Sequence, residues 1–424
     1  MKKIYSSRFP KHFLWGSLAA IFFTGASCTT HPHRLQDGAW RAELTVADGR
    51  QAPFLFDVRH AATDSAVLTL INGEERVPLA GIHYVADTVI IPVAAYDAEI
   101  QARVSGDSLD GRFIRKYVEN DPGIPFKAQR GDVPRFAPPP SPATVTIDGT
   151  WDVLFVSEKR DTVRNVGVFS TYNHIVTGSI LTNSGDLRFL EGTVTGTGVQ
   201  LSAFGGLSPY LIDIDFTGND TFEGTLYTAR GKTAFVGRRN DRAALADVYA
   251  LTKLKRGFDR LGFSLPDAEG RLVSLNDARY KGKVVIVSVL GTWCPNCLDE
   301  AEYLAQWYKE NKDRGVEIIG LAFERKDDAA YAYAAINRLK AQYGVDYEIL
   351  FAGKVGGAAV AKVLPEIDKL SGYPTTFFID RKGNVAKIHT GFSGPATGAF
   401  YEAWKKEFNA LIDELLSVKN IKNL

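Results

Sequence analysis

The segment Trp293-Cys294-Pro295-Asn296-Cys297 constrains the fold of this chain more than any other. It follows an apolar run from Lys283 to Leu290 and precedes a helix-like sequence from Leu298 to Lys309. Two thiols three residues apart at a strand-to-helix junction are typical of a dithiol that alternates with a disulfide. Because a helix N-terminus presents unpaired N–H groups and a partial positive charge, it favours the thiolate of the first cysteine. We therefore expect Cys294 and Cys297 to form a redox-active pair.

Length and charge limit the class of protein. The 424 residues allow two or three domains. The 50 lysines and arginines balance 49 aspartates and glutamates, which leaves a formal net charge of +1. Nucleic-acid-binding proteins usually carry a basic surface, so this composition argues against a nucleic acid as partner.

The third cysteine, Cys28, follows a sequence typical of an export signal. Four basic residues near the N-terminus precede an apolar stretch from Phe13 to Phe23 and the small residues Gly25-Ala26-Ser27. This stretch, about 11 residues long, is too short to span a bilayer. A cysteine in this position resembles that of a bacterial lipobox, which is lipidated and becomes the mature N-terminus. We therefore expect residues 1–28 to be a lipoprotein-type signal and Cys28 to anchor the protein to a membrane, facing the periplasm.

The lipobox has an alternative interpretation. Gly25 stands where leucine is usual, so a plain secretory signal with an unrelated cysteine also fits. No acidic run follows Cys28, and the sequence does not indicate which membrane would hold the protein. If Cys28 carries lipid, one pair of thiols remains, and in an oxidising compartment it needs an electron supply.

Residues 36–240 are typical of an all-β region. Short alternating or apolar segments recur between turn residues, which predicts a sandwich or barrel. These segments are Trp40 to Val46, Phe54 to Val58, Ala66 to Ile71, Thr88 to Val93 and Ile100 to Val104.

This β region repeats itself. Asp37-Gly38-Ala39-Trp40 returns as Asp148-Gly149-Thr150-Trp151 after 111 residues, and the turn at 107–111 returns at 220–224 after 113. Two landmarks at nearly equal spacing predict a duplicated β unit, although Asp-Gly turns are common in any β protein.

The predicted domain boundaries follow from this repeat. We expect the two β copies at 36–120 and 146–240, joined by a stiff, proline-rich connector at 121–145 that contains Pro138-Pro139-Pro140. A second linker at 241–255 reads as helix-like and charged from Ala243 to Lys255.

Residues 256–424 alternate strand and helix signals, which predicts an α/β domain with a helix-covered sheet. The expected strands are Val284 to Leu290, Val316 to Phe323, Tyr347 to Phe351, Thr376 to Ile379 and Val385 to Ile388. The expected helices are Asp327 to Gln342, with Asp327 as cap, and Ala399 to Leu416. The predicted fold class is therefore multi-domain, a duplicated β region followed by an α/β domain.

Several motifs of this last domain occur together in one known family. They are Phe263-Ser264-Leu265-Pro266-Asp267, Leu275-Asn276, Tyr280-Lys281-Gly282-Lys283, Trp293 to Cys297, and Tyr373-Pro374-Thr375-Thr376-Phe377. In order and spacing the domain resembles the thioredoxin-like thiol–disulfide oxidoreductases of the TlpA/ResA type, relatives of the AhpC/TSA group. The resemblance covers about 160 residues, the whole C-terminal domain.

The resemblance implies roles for individual residues. Cys294 would be the exposed, attacking thiol and Cys297 the more buried, resolving one. Pro374 would be a cis-proline that faces the dithiol and offers backbone to a bound substrate, with Tyr373 before it. Glu300 matches an acidic residue near the active site, and Trp293 matches the aromatic residue that flanks the first thiol.

Each assignment has a simpler alternative. Glu300 would otherwise be a solvated carboxylate on the first helix, Trp293 a packing residue and Pro374 an ordinary turn proline. The cysteine pair could be half of a zinc site, but only Cys28 and scattered histidines remain as further ligands, so we expect neither metal nor cofactor.

The charges around the pair predict the direction of the reaction. The loop contains no cation, while Asp299 and Glu300 add carboxylates, which oppose thiolate formation. Strong oxidants stabilise their reduced, thiolate form instead. We therefore expect a reductase that acts on client proteins with disulfides and is recharged by a membrane thiol electron donor.

Two other functions are weighed against it. A thioredoxin-fold peroxidase usually carries Pro-x-x-x-Thr-x-x-Cys, but here Thr292 lies only two residues before Cys294 and the proline is missing. A β-rich binding lipoprotein, in which the redox domain is secondary, would account for the long β region. Replacing both cysteines would leave that function intact.

Overall fold

The computed structural model describes residues 34–139, 146–157 and 159–417. All of them belong to one compact unit that runs from His33 to Leu424. The predicted export signal and Cys28 lie outside the described residues. Within those ranges, the structure contains no helix with the length and apolar character needed to cross a membrane.

Nine antiparallel strands form the first sheet. They are β1 Gly38–Thr45, β2 Gln51–Arg59, β3 Val67–Asn72, β4 Glu75–Leu79, β5 His83–Val85, β6 Thr88–Val93, β7 Ala98–Ser105, β8 Ser108–Arg115 and β9 Ile124–Arg130. Their order is β4-β3-β2-β1-β9-β8-β7-β6-β5, so the meander curls until its last strand pairs with its first. Inward residues alternate with outward ones; in β1, Trp40, Ala42 and Leu44 are buried.

The second sheet closes into a barrel. Its strands are β10 Gly149–Val156, β11 Thr162–Tyr172, β12 Ile175–Thr182, β13 Gly185–Asp186, β14 Leu190–Thr195, β15 Gly198–Ala203, β16 Tyr210–Gly218, β17 Thr221–Thr228 and β18 Gly231–Arg239. Because β10 pairs with both β11 and β18, and β12 pairs with both β11 and β14, eight strands form a closed ring. β13 adds a short hairpin to β12. The prediction of an all-β region is confirmed.

The repeated sequence landmarks make the same contacts in both sheets. In each, a tryptophan indole donates to the carbonyl four residues earlier, and an arginine that ends the last strand donates to an aspartate. The contacts are Trp40 to Gln36 (3.1 Å), Trp151 to Ile147 (2.7 Å), Arg130 to Asp107 (2.6 Å) and Arg239 to Asp220 (2.9 Å). Sequence repeat and structural repeat therefore coincide.

The proline-rich connector begins later than predicted. Ile124–Arg130 is strand β9, which pairs with β1 and β8 and brings the two ends of the first meander together. Its alternation was hidden by Pro122 and Pro125, yet Ile124, Phe126 and Ala128 point inward. The assignment of residues 124–130 to a linker was therefore wrong.

The next part of the connector is clamped between the two sheets. Arg135 is buried, and its guanidinium donates to the Ile71 carbonyl (2.6 Å) and the Pro53 carbonyl (3.3 Å) of the first sheet. It also donates to Ser202 Oγ (3.3 Å) and Glu191 Oε1 (3.2 Å) of the second sheet. A buried cation with these partners ties the sheets together.

The C-terminal domain has the predicted α/β architecture. A hairpin of β19 Ser264–Pro266 and β20 Leu272–Ser274 precedes strands β21 Val284–Leu290, β22 Val316–Glu324, β23 Glu348–Lys354, β24 Thr375–Ile379 and β25 Val385–Thr390. The helices are α1 Pro295–Asn311, α2 Ala329–Tyr343, α3 Gly357–Val363 and α4 Ala399–Ser417. The sheet order is β23-β22-β21-β24-β25, with β21, β22 and β23 parallel and the other two strands antiparallel to their neighbours.

Two local predictions were wrong. Residues 241–255, all of them described, contain no helix; they form turns whose backbone pairs with the C-terminal domain, as in Lys255 N to Glu366 O (2.7 Å). The cap of α2 is Asp328, not Asp327, because its carboxylate accepts from Tyr331 N (3.1 Å). Helix α3 was not predicted.

Candidate active site

The fold places the cysteine pair at the end of the central strand. All seven residues of β21 are buried, and the chain leaves it at Leu290 and enters α1 at Pro295. Cys294 is the N-cap of α1 and accepts at its carbonyl from Leu298 N (3.1 Å). Pro295 at the first helical position lacks only an N–H that would have no partner in the helix. Cys297 therefore follows one turn along the helix from Cys294.

Both thiols are free and buried, with Cys297 1% exposed and Cys294 7% exposed. Cys297 is the more buried, as the resemblance implies. The expectation of an exposed Cys294 was wrong: its thiol points at the Tyr373 carbonyl (Sγ to O, 3.7 Å), and the N-terminal half of the chain covers this side of α1.

Burial dominates the acidity of Cys297. It raises the pKa of the Cys297 thiol well above its usual range, and the neighbouring Cys294 and the Glu300 carboxylate raise it further. A thiol in this environment keeps its proton until a base removes it. Its nucleophilic form is therefore scarce in the resting dithiol.

Glu300 lies inside the domain, 1% exposed, on the buried face of α1. Its two oxygens accept from Ser288 Oγ of β21 (2.8 Å) and Thr376 Oγ1 of β24 (2.7 Å). Burial raises the pKa of Glu300 to about 7, although both hydrogen bonds oppose the shift. The alternative of a solvated carboxylate is therefore wrong, and Glu300 is a buried group that changes charge near neutral pH.

The loop before β24 brings Tyr373 and Pro374 to the dithiol. The Tyr373–Pro374 peptide bond is cis, and the Tyr373 carbonyl is the group that faces Cys294. The Tyr373 ring stands edge-to-face against Trp293, with centroids 5.5 Å apart. Trp293 itself donates to the Phe323 carbonyl (2.8 Å), so it packs as well as flanks the first thiol.

Sequence reasoning missed Glu324, at the end of β22. It is buried, and its carboxylate accepts from Thr292 N and Thr292 Oγ1, both at 2.9 Å. These bonds fix the loop immediately before Cys294. Nothing in the sequence distinguishes this glutamate from the other carboxylates of the domain.

The second sheet supplies a cation that was also missed. Arg188 donates to the Pro295 carbonyl (3.2 Å) and to Asp299 Oδ2 (2.8 Å), and its Nε donates to Glu75 Oε1 (2.8 Å) of the first sheet. Burial raises the pKa of Asp299 to about 7, while Arg188 opposes the shift. The sequence prediction counted Asp299 as added negative charge and did not include Arg188, because more than a hundred residues separate the two.

Among the described residues, no cluster of histidine, cysteine, aspartate and glutamate is arranged to hold a metal ion.

Known proteins resemble the C-terminal domain. Residues 260–388 match the AhpC/TSA family. The thiol-disulfide oxidoreductase ResA of Bacillus subtilis is 33% identical over 138 residues, 32% of this chain and 69% of that protein. ResA of Bacillus thuringiensis subsp. konkukian is 33% identical over 136 residues, 31% of this chain and 68% of that protein. The crystal structure of a thiol:disulfide interchange protein, a thioredoxin family protein from Chlorobium tepidum TLS, is 25% identical and covers 38% of this chain and 98% of its own, with a TM-score of 0.29.

These relatives confirm the resemblance seen in the motifs. They match this chain over more than two thirds of their own length, at an identity of 33%. The chain therefore belongs to the ResA-type thiol–disulfide oxidoreductases and is itself a thiol–disulfide oxidoreductase.

Proposed function

We propose that this protein is a lipid-anchored, periplasm-facing reductase of client protein disulfides. Cys294 attacks one sulfur of the client disulfide, and the other client sulfur leaves as a thiolate that takes up a proton. Cys297 then loses its proton and attacks the sulfur of Cys294, which releases the second client thiol. The client gains two electrons, the dithiol becomes a Cys294–Cys297 disulfide, and a membrane thiol donor returns two electrons to it.

The observation that carries the reductive direction is the raised pKa of Cys297. Burial, Cys294 and Glu300 hold the pKa of Cys297 well above its usual range. Strong oxidants owe their potential to a stabilised thiolate in the reduced form. Because Cys297 stays protonated, no thiolate at this position stabilises the reduced form, which favours the transfer of electrons to a client.

Glu300 is proposed as the base for the second step. Its carboxyl contributes to the electrostatics of Cys297, and its pKa of about 7 allows it to accept a proton at neutral pH. The Tyr373 carbonyl faces the Cys294 thiol, Pro374 follows it, and Trp293 packs against the Tyr373 ring. We assign these three residues to client binding.

The anchor is proposed from the sequence of residues 1–28. An export signal that ends in small residues and Cys28 supports lipidation. The mass of the N-terminal peptide of the mature protein tests it: a diacylglyceryl-modified Cys28 supports the anchor, and an unmodified cysteine contradicts it.

Insulin reduction tests the proposed function. With dithiothreitol as donor, catalytic amounts of the protein are expected to accelerate cleavage of the insulin interchain disulfides, measured as precipitation of the B chain. The heat-unfolded protein at equal concentration is the control. No acceleration over that control would contradict a reductase of protein disulfides.

A further inference from the structure

A hairpin of the second sheet lies directly on the active site. It consists of Asn183-Ser184 and β13, Gly185–Asp186, and we refer to residues 183–186 as the capping hairpin. It contacts the cysteine loop, the loop that carries the cis-proline, and the loop after β25. The last of these also contacts the cis-proline, since Gly391 N donates to the Pro374 carbonyl (2.8 Å).

The cysteine loop pairs with the capping hairpin through Asn296. Its side-chain oxygen accepts from Asp186 N (3.3 Å), and its side-chain nitrogen donates to Asp186 O (3.4 Å). A primary amide that bonds both backbone groups of one residue imitates a neighbouring β-strand. The approach is close at Gly185, where a Cβ would lie 2.1 Å from Asn296 Nδ2, so no larger residue fits there.

The other two loops contact the tip of the capping hairpin. A Cβ on Gly372, one residue before Tyr373, would lie 2.9 Å from Ser184 Cβ. A Cβ on Gly391 would lie 2.6 Å from the Asn183 carbonyl. Gly394 N donates to Asp186 Oδ2 (2.8 Å). Because Gly372 and Gly391 have no side chain, the capping hairpin can pack closely between the two loops.

The space between the capping hairpin and the start of α1 is small. Beside the capping hairpin lies a cavity of about 100 Å³, lined by Arg188, Tyr210, Pro295 and Asn296 among others. That is room for a few water molecules. Cys294 is 7% exposed, so a protein disulfide cannot reach its sulfur in this conformation.

Arg188 stabilises the position of the capping hairpin on α1. It follows the hairpin by two residues, and its half-buried guanidinium joins Asp299 and Pro295 of α1 to Glu75 of the first sheet. The backbone N–H of Arg188 donates to Asp186 Oδ1 (2.6 Å). Charge-assisted hydrogen bonds of this kind close the site without covalent attachment.

We propose that the capping hairpin determines which disulfides Cys294 can attack, which rests on the proposed function. A client polypeptide must displace residues 183–186 and take over their contacts with Asn296 and the cis-proline loop. A small disulfide or thiol reagent needs only a transient, local opening. In this proposal the β region selects the clients.

The test compares two reagents that share one reactive group. The full-length reduced protein is treated in detergent with N-ethylmaleimide or with a maleimide on a long polyethylene glycol chain, and modification of Cys294 is followed by peptide mass spectrometry. The same chain unfolded in urea gives the ratio of the N-ethylmaleimide rate to the polymer-maleimide rate for a fully accessible thiol. For the folded wild type, we expect the rate with N-ethylmaleimide divided by the rate with the polymer to be at least roughly tenfold higher than for the urea-unfolded chain. The reason is that the capping hairpin, when closed, excludes the polymer.

Variants then loosen the hairpin. Arg188→Ala and, independently, Asp186→Ala are expected to raise the polymer rate roughly tenfold and the N-ethylmaleimide rate far less. Arg164→Ala, an exposed arginine on β11 of the same sheet, is the matched control and should resemble wild type. A folded wild type with the ratio of the urea-unfolded chain, or folded variants with the wild-type ratio, would overturn the proposal.

A small substrate separates this proposal from the proposed function. Turnover of hydroxyethyl disulfide by the wild type and both variants, together with unchanged selectivity, would reject the capping hairpin as selector and leave the oxidoreductase intact. Loss of that turnover in the wild type would contradict the proposed function itself.

Discussion

Replacing Cys297 with serine is expected to stop turnover and to leave Cys294 joined to its client. Cys294 still attacks, but no thiol remains to release the mixed disulfide. Insulin reduction should fall by at least roughly a thousandfold, since the reacting residues of such a site act as a unit. When the pre-reduced variant is mixed with insulin in the absence of dithiothreitol, non-reducing electrophoresis should show a covalent adduct between the protein and an insulin chain. Added dithiothreitol should then reduce this adduct.

Cys294→Ser should be equally inactive but form no adduct, because the attacking sulfur is gone. Cys28→Ser is the matched control, with the same substitution at the third cysteine, and should keep wild-type turnover in detergent. An adduct that forms through Cys297 in Cys294→Ser would reverse the assigned roles. Turnover by either active-site variant would remove the pair from the mechanism.

Glu300→Gln is expected to change both the pH dependence of stability and the rate. Burial raises the pKa of Glu300 from 4.5 to about 7 in the folded state. Between these values the folded protein binds the proton and the unfolded chain does not, so stability falls as pH rises through this window. The accumulated loss is about 3 kcal/mol above pH 7. Glutamine keeps the size of the side chain and cannot ionise.

Urea unfolding at pH 4.5 and pH 8 measures this difference. The free energy of unfolding of wild type should fall by about 3 kcal/mol more than that of Glu300→Gln between the two pH values. Other buried carboxyls, such as Asp299, titrate in both proteins and cancel in the comparison. Glu310→Gln, an exposed position on the same helix, should follow wild type. Equal pH dependence in wild type and Glu300→Gln would show that Glu300 titrates normally.

The same variant tests the role of Glu300 as a base. Insulin reduction by wild type should rise with pH through about 7, as Glu300 loses its proton and can accept that of Cys297. In Glu300→Gln that rise should disappear and the rate at neutral pH should fall roughly a hundredfold. A slow variant that keeps the wild-type pH profile would assign Glu300 a structural role only.

Much of the fold follows from local pattern. The run that became β21 is buried along its whole length, and the Asp-Gly-x-Trp repeat marks the first strand of each sheet. The segments that were predicted wrongly are those whose structure depends on pairing with residues far away in the sequence. Strand β9 can be recognised only from its pairing with β1 and β8. Residues 241–255, predicted as helix-like, instead form backbone hydrogen bonds with the C-terminal domain.

The residues of the active site also fall into those that a local motif predicts and those that only the three-dimensional structure reveals. Cys294, Cys297 and Pro374 carry motif signals, because their chemistry depends on spacing within one domain. Arg188 and the capping hairpin come from a sheet more than a hundred residues away, and their contacts with Asp299 and Asn296 have no local signature. An estimate of charge from the cysteine loop alone therefore omitted its nearest cation.

The reduction potential of the Cys294–Cys297 pair tests the central claim most directly. A soluble form that lacks residues 1–28 contains no other cysteine, so equilibration in graded thiol buffers reports this pair alone. A potential near that of thioredoxin, about −270 mV, is the predicted result and indicates a reductase. A potential near about −120 mV, at the oxidising end of the scale, would contradict it and make the protein a source of disulfides.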